Sequence, residues 1–400
     1  MIALAAIGLV GIRPRGIPAW IWATAGAAIL IALGAEPLPA ALVAVGAQWN
    51  VLLFILGLMG VSAAAECSGL FEWIADVLLE RAKGSRRRLF TSLFLTGGAV
   101  AAVLSNDAMA IVFTPVVYRA VSKRGIAALP YLYACTFVAD TASFGMPFSN
   151  PTNVLVLPRP NFGHFVLHLG PPAIAAIAIN LAIFLYLFRR ELRGRYQYEP
   201  AEAIGSRRLR TLVAMLALAL AYVIALILNW PLGPVALAGA VVVLAVAQVT
   251  PSAAAARIGW ATFLLLPGLF AIVDAVERAG LLGWALAALH DTEREGKLVT
   301  ILTAAFGSAL ASNLMNNLPI AVLSGAIVAR GNAGWPAYAL IAGVDLGPNL
   351  TTTGSLATIL WLSILHERGL AVRPLEYLRL GLAVVPAMLV VTSLWLWLVR

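Results

Sequence analysis

From Thr211 to Leu228 the chain runs for 18 residues without a charged side chain. Ile174–Phe188, Val235–Val249 and Leu375–Val399 are similarly apolar, and about 20 such residues cross a hydrocarbon core as a helix. Only 11% of the 400 residues are charged and 62% are hydrophobic, against roughly 25% charged in soluble domains. So few charges cannot solvate a globule of this size, so lipid is the expected solvent. Backbone groups in lipid must be satisfied within the segment, which favours helices. The first segment, residues 1–12, has no basic leader and no small-residue cleavage site, and reads as a short first span. The two cysteines, Cys67 and Cys135, offer no disulfide framework and no thiol metal site.

A weak internal repeat spans half the chain. Glu66, Gly69, Leu70 and Trp73 align with Glu277, Gly280, Leu281 and Trp284. Asn106-Asp107 aligns with Asn316-Asn317, and Asp140 with Asp345. In the first half, spans are predicted near 1–12, 18–34, 49–64, 130–157 and 171–188, with an amphipathic helix near 66–82. The second half repeats them near 211–228, 235–249, 260–276, 336–364 and 375–399, with an amphipathic helix near 281–290.

The net charge of +9 is concentrated in connections, so it reports topology rather than nucleic-acid binding. Placing Arg13 and Arg15 inside puts 21 of the 27 Lys and Arg residues on that side, as expected for the cytoplasmic face. The pair of apolar segments around Asn106 has basic residues at both ends, so it should enter and return as a re-entrant hairpin. The pair around Asn316 should enter from the opposite face. The expected fold is an all-α polytopic membrane protein with two inverted repeats, each of five transmembrane segments plus one re-entrant hairpin, and with broken helices at the midplane. Residues 1–188 form the first repeat, 189–210 a cytoplasmic linker and 211–400 the second repeat. Such inverted repeats recur in secondary transporters.

Four polar stretches fall at membrane depth, where they are costly unless they line a cavity. They are Ser105-Asn106-Asp107; Pro147 to Asn153, with Ser149, Asn150 and Thr152; Ser312 to Pro319, with Asn313, Asn316 and Asn317; and Gly347 to Ser355, with Asn349, Thr351, Thr352, Thr353 and Gly354. Pro and Gly break helices there, and Asn, Ser and Thr supply donors and acceptors. A midplane pocket is predicted where two hairpin tips meet two broken helices; helix-to-helix hydrogen bonding is the plainer alternative. Asp107, Asp140 and Asp345 are intramembrane acids with no Lys or Arg in the four stretches. They suit a neutral hydroxylated solute, a cation or a proton, and each is a proton-coupling candidate; a satisfied helix-to-helix contact is the alternative for Asp140 and Asp345. His164 and His168 read as solvated residues of an outer loop, with a metal site as the sharper alternative. Trp20, Trp22, Trp395 and Trp397 read as interfacial anchors.

The motifs Ser105-Asn106-Asp107 to Pro115, Asp140-Thr141-Ala142-Ser143, Met315-Asn316-Asn317-Leu318-Pro319 and Asp345-Leu346-Gly347-Pro348 with Gly354 to Trp361 resemble those of the ArsB-type arsenite/antimonite efflux permeases of the ion transporter superfamily. The resemblance covers nearly the whole chain, including Gly69 to Trp73. It implies a secondary transporter, not an enzyme, that exports trivalent arsenic and antimony as neutral trihydroxides across the cytoplasmic membrane, driven by protons and without a cofactor. It leaves open a soluble ATPase partner and a homodimer. A Na⁺/H⁺ antiporter or a carboxylate transporter of the same superfamily is the competing expectation, and neither a nucleotide motif nor a Ser–Lys pair points to an enzyme. Substrate contacts are expected from Ser105, Asn106, Asp107, Ser149, Asn150, Thr152, Asn153, Asn316, Asn317, Thr352, Thr353, Gly354 and Ser355. Trivalent arsenic holds thiols tightly, so hydroxyls and amides, at roughly 1 kcal/mol net per hydrogen bond, suit a carrier that must release it.

Overall fold

A computed structural model describes residues 2–12, 17–103, 106, 108–280, 282–331 and 335–399. The described residues are mainly helical; they contain no strand and one isolated bridge, Ser85 to Arg195.

The first half holds α1 (Ile2–Ile12), α2 (Ala19–Ala32), α3 (Leu38–Ala47), α4 (Trp49–Cys67), α5 (Leu70–Arg81), α6 (Arg86–Val103), a π-helical turn (Ala108–Phe113), α7 (Thr114–Ser122), α8 (Leu129–Ser143), α9 (Pro151–Val156) and α10 (Phe162–Leu187). The second holds α11 (Ser206–Ile227), α12 (Leu232–Val246), α13 (Pro251–Ala255), α14 (Thr262–Arg278), α15 (Gly283–Glu295), α16 (Lys297–Met315), α17 (Asn317–Arg330), α18 (Trp335–Leu346), a 3-10 turn (Gly347–Leu350), α19 (Leu356–His366) and α20 (Pro374–Leu398). Among the described residues, α4, α10, α11, α16 and α20 are long and apolar enough to cross a membrane.

The starts of these helices follow local chemistry. Proline stands in the first turn of α3, α7, α8, α9, α13 and α20, where its missing N–H costs no hydrogen bond. Asn150, Asn161, Thr250, Asn316 and Ser355 cap α9, α10, α13, α17 and α19 through their side-chain oxygens.

Helix pairs recur in the same order in both halves. α2 packs on α14 and α4 on α12; α6 packs on α8 and α16 on α18; α10 and α20 pack on one another. The two wall contacts are built alike. A Cβ on Gly268 of α14 would lie 2.7 Å from the Ala23 carbonyl carbon of α2, and one on Gly57 of α4 would strike the Ala236 backbone of α12. Without a hydrophobic drive between helices in lipid, such close backbone approach is what small residues permit. On the other side of the molecule an aromatic cluster ties α8, α10 and α20 together: Phe137 lies 4.9 Å from both Phe184 and Tyr377, measured between ring centroids.

The 130–157 and 336–364 segments are each two helices separated by irregular backbone, the broken helices expected from the sequence. Other elements differ from the sequence reading. α3 and α13 were not anticipated, and α11 begins at Ser206, inside the residues assigned to the linker. The irregular segment before it is pinned, with Tyr196 N–H donating to Gly84 O (2.9 Å) and its hydroxyl to Leu79 O (2.7 Å). α10 starts at Phe162 and continues through Pro171 and Pro172. Pro171 cannot donate to the Leu167 carbonyl one turn back; Trp395 Nε1 donates to it instead, at 3.1 Å. His164 and His168 therefore lie on a helix rather than a loop, and the His168 ring stacks on Tyr338 at 4.5 Å.

One end of the bundle collects basic connections. Arg119 pairs with Glu72, Arg257 with Glu66 and Arg208 with Glu202 there. The opposite end holds Arg278 with Asp274 and Glu36, and Arg330 with Glu277.

Candidate functional site

The break between α8 and α9 is a folded turn. Asn150 adopts extended backbone (φ −141°, ψ 134°), and its Oδ1 accepts from Thr152 N at 3.2 Å. The carbonyls freed by the break are satisfied by side chains: Asn153 Nδ2 donates to Ser143 O and Met146 O, both at 2.9 Å, and Ser149 Oγ donates to the same two carbonyls. The Ser149 hydroxyl and the Asn153 amide nitrogen, on residues expected to meet a substrate, hold the turn, while Asn153 Oδ1 is buried without a hydrogen-bond partner.

The break between α18 and α19 is built by different residues. Asn313 of α16 donates to Ala309 O and Gly347 O (both 2.8 Å) and accepts from Thr351 Oγ1 (2.7 Å). Asn349 Nδ2 reaches Phe137 O (3.2 Å) and Thr141 Oγ1 (3.3 Å) on α8, so each broken helix braces the other. Ser355 then caps α19, accepting from Thr358 N at 3.0 Å.

The α16–α17 hairpin turns at Asn316, with φ 74° and ψ 151°. That region belongs almost wholly to glycine, and a side chain there costs on the order of 1–3 kcal/mol. The strain is held by the local cap, in which Asn316 Oδ1 accepts from Leu318 N (3.3 Å), and by two contacts to the opposing break: Asn316 Nδ2 donates to Thr353 O (3.2 Å) and Asn317 N–H to Gly354 O (2.9 Å). Gly354 is required at this seam, since a Cβ would lie 2.6 Å from Pro348 Cα and 2.9 Å from Asn313 Oδ1.

Two carboxylates lie inside this framework, both about 1% exposed. Asp345 of α18 accepts from Thr152 Oγ1 (2.6 Å) and Asn150 Nδ2 (3.1 Å) through Oδ1, and from Ser143 Oγ (3.5 Å) through Oδ2. All three donors come from the other half of the chain. Asp140 of α8 accepts from Asn106 Nδ2 at 3.3 Å, within its own half. The two acids align in the repeat, yet their surroundings differ: Thr152, the hydroxyl closest to Asp345, corresponds to Ala357.

At the meeting of these parts is a cavity of about 30 Å³, room for about two water molecules, lined by Asn106, Asn150, Asn317 and Ser355 with Ile55 and Met59 of α4. Asn317 opens α17, and Asn150 and Ser355 cap α9 and α19, so three helix N-termini face it, and helix N-termini favour electron-rich ligand atoms. The Asn106 Oδ1 is buried without a hydrogen-bond partner, leaving one acceptor for a ligand hydroxyl. No Lys or Arg lines the cavity among the described residues. Of the residues expected in the site, Asn106, Asn150, Asn317 and Ser355 converge here. Thr152 contacts Asp345, Asn316 shapes the hairpin tip, and Thr352 and Thr353 are partly or fully exposed outside the lining. Ser105 and Asp107 lie outside the described residues.

Ser143 was missed as a site residue. Its spacing of three from Asp140 on α8, which places both on one helix face, was the signal. A second cavity, of about 580 Å³, opens at the end opposite the basic connections, lined by Gln48, Arg159, Asp274, Glu277, Ala329 and Gly331 among others. Its lining comes from four separate elements, which no local motif joins.

The citrate transporter family (CitMHS) matches residues 3–344 of this chain. An arsenical pump membrane protein of Escherichia coli is 30% identical over 401 residues, covering 95% of this chain and 93% of its own length. An arsenical pump membrane protein of Yersinia enterocolitica is 30% identical with the same coverage of both chains. A 46 kDa membrane protein of Mycobacterium leprae is 25% identical over 376 residues, 88% of this chain and 87% of its own. Among solved structures, the YdaH transporter of Alcanivorax borkumensis, described as having an unusual topology, superposes with a TM-score of 0.58 at 14% identity. The match covers 89% of this chain and 86% of that one, a likeness of fold alone.

Proposed function

Because the chain belongs to the citrate transporter family and to that of the arsenical pump membrane proteins, we propose that it is a secondary transporter exporting trivalent arsenic and antimony as neutral hydroxides in exchange for protons. The cavity between the helix breaks carries this reading. It offers amide and hydroxyl groups from Asn106, Asn150, Asn317 and Ser355, an unpaired acceptor at Asn106 Oδ1, and no cationic side chain among its described lining. Hydrogen bonds of about 1 kcal/mol each hold a trihydroxide without the permanence of a thiolate bond, and neither Cys67 nor Cys135 lies in the described lining.

In this reading the two halves are inverted repeats, the basic end faces the cytoplasm and the protein sits in the cytoplasmic membrane. The recurring order of helix contacts supports the repeat. Asp345 and Asp140 carry the proton: each touches a residue that also lines the cavity, Asn150 for Asp345 and Asn106 for Asp140. A proton moving on or off either acid changes what those amides present to the solute.

A carboxylate substrate is the competing reading, favoured by the helix N-termini at the cavity. The buried acids beside it and the lack of Lys or Arg in its described lining weigh against a multiply charged anion. The test is uptake of arsenite, antimonite, citrate and sodium into everted vesicles under an imposed proton gradient. Accumulation of arsenite is expected; citrate or sodium transport without arsenite would overturn the proposal.

A further inference from the structure

Glu66 and Glu277 are 211 positions apart, the shift that aligns the two halves, and so are Arg119 and Arg330. Each glutamate sits in the last turn of a wall helix, α4 or α14, and each arginine on the returning arm of a hairpin, α7 or α17. At the end away from the basic connections the pair is made: Arg330 Nε and Nη2 both lie 2.7 Å from Glu277 Oε1. It ties α17 to α14 at the rim of the 580 Å³ cavity, which Glu277 lines.

At the basic end the same four-part arrangement is unlatched. Arg119 turns to Glu72 of α5 (2.9 Å), and Glu66 is held by Arg257, which follows α13 (3.1 Å). Each charge has a partner on its own side of the junction. The positions that correspond to Glu72 and Arg257 in the repeat are Gly283 and Gly46. Glu277 and Arg330 therefore lack the alternative partners that Glu66 and Arg119 have.

We propose that Glu277–Arg330 and Glu66–Arg119 are the same latch present at both ends, made at one end in one transport state and at the other end in the alternate state. This rests on the inverted-repeat, alternating-access reading above. Glu72 and Arg257 hold the basic-end charges when that latch is open, so the resting population favours the state with Glu277–Arg330 made. An ion pair of this exposure shifts a two-state population by about two- to five-fold when removed.

The test is disulfide trapping in membranes without substrate. Glu66→Cys and Arg119→Cys are introduced together into the Cys67→Ser/Cys135→Ser protein, and cross-linking is driven with copper phenanthroline. Adding Glu277→Gln, or separately Arg330→Gln, should raise the cross-linked fraction about two- to five-fold. The exchanged pair Glu277→Arg/Arg330→Glu should return it to the starting level. A yield that neither single variant changes, or no cross-link in any background, would overturn the latch. Arsenite uptake is measured separately on the protein with only the cysteines replaced. Failure there with the cross-link shift intact leaves the latch standing and removes the substrate reading, and intact uptake with no shift does the reverse.

Discussion

Thr152 Oγ1 donates to Asp345 Oδ1 at 2.6 Å, so the first turn of α9 is fastened to a buried carboxylate of the other half of the chain. Charge-assisted hydrogen bonds of this length are about twice as strong as neutral ones. Thr152→Val keeps the shape of the side chain and removes the donor. It should lower stability by about 1–3 kcal/mol and reduce proton-driven export, while Thr152→Ser should keep most of both. Thermal unfolding in detergent and vesicle uptake measure the two effects; unchanged values for Thr152→Val would mean that the contact carries no function.

Replacing the two acids separates coupling from architecture. Asp345→Asn and Asp140→Asn preserve size and remove the titrating proton. Each should cut accumulation against a gradient by tenfold or more while leaving downhill arsenite exchange measurable. If both variants retain full proton-driven export, the acids are structural and the proton travels elsewhere.

The wall helices make a packing prediction. Gly57→Ala and Gly268→Ala place a methyl group against the backbone of Ala236 and Ala23. Each should destabilise by about 1–3 kcal/mol. Gly8, with open space around its Cβ position, is the control: Gly8→Ala should be neutral or stabilising by about 0.5–1 kcal/mol. Equal melting temperatures for all three variants would remove the close approach as a cause of wall stability.

The spans and the breaks were legible because each has a local cause. Long uncharged runs demand lipid, and Pro, Gly and Asn clustered within such a run stop the helix at 147–150 and 347–355. α3 escaped notice because its ten apolar residues, with Pro39 in the first turn, read like a connection between spans. The true start of α10 was hidden by Pro171 and Pro172, and only Trp395, more than two hundred positions away, shows how the helix survives them. Within the site, Asn106, Asn150, Asn317 and Ser355 were legible as polar residues at membrane depth. That Thr353 points away while its carbonyl holds Asn316 was not, since the side chain and the carbonyl of one residue face different ways. The contacts of Asp345 were equally hidden, because all its donors arrive from the other half by packing.

Glu36, in the connection between α2 and α3, leads to a pH prediction. Its side chain is fully buried, with Arg278 Nε 3.8 Å from Oε2, but that same nitrogen lies 2.5 Å from Asp274 Oδ2. Two acids thus share one guanidinium, and the closer one takes most of its charge. Burial first, then the adjacent Asp274 carboxylate, raises Glu36 from 4.5 to about 7, against the pull of Arg278. A group with a raised folded-state pKa favours the folded protein in its protonated form. Its contribution is fully present below pH 4.5 and is lost as the pH rises through about 7. The melting temperature in detergent should therefore fall between about pH 5 and pH 8. Glu36→Gln, which keeps the shape and never ionises, should flatten that fall and melt higher than the unaltered protein at pH 8. Superimposable pH profiles for the two proteins would show that Glu36 stays ionised and that Arg278 serves both acids.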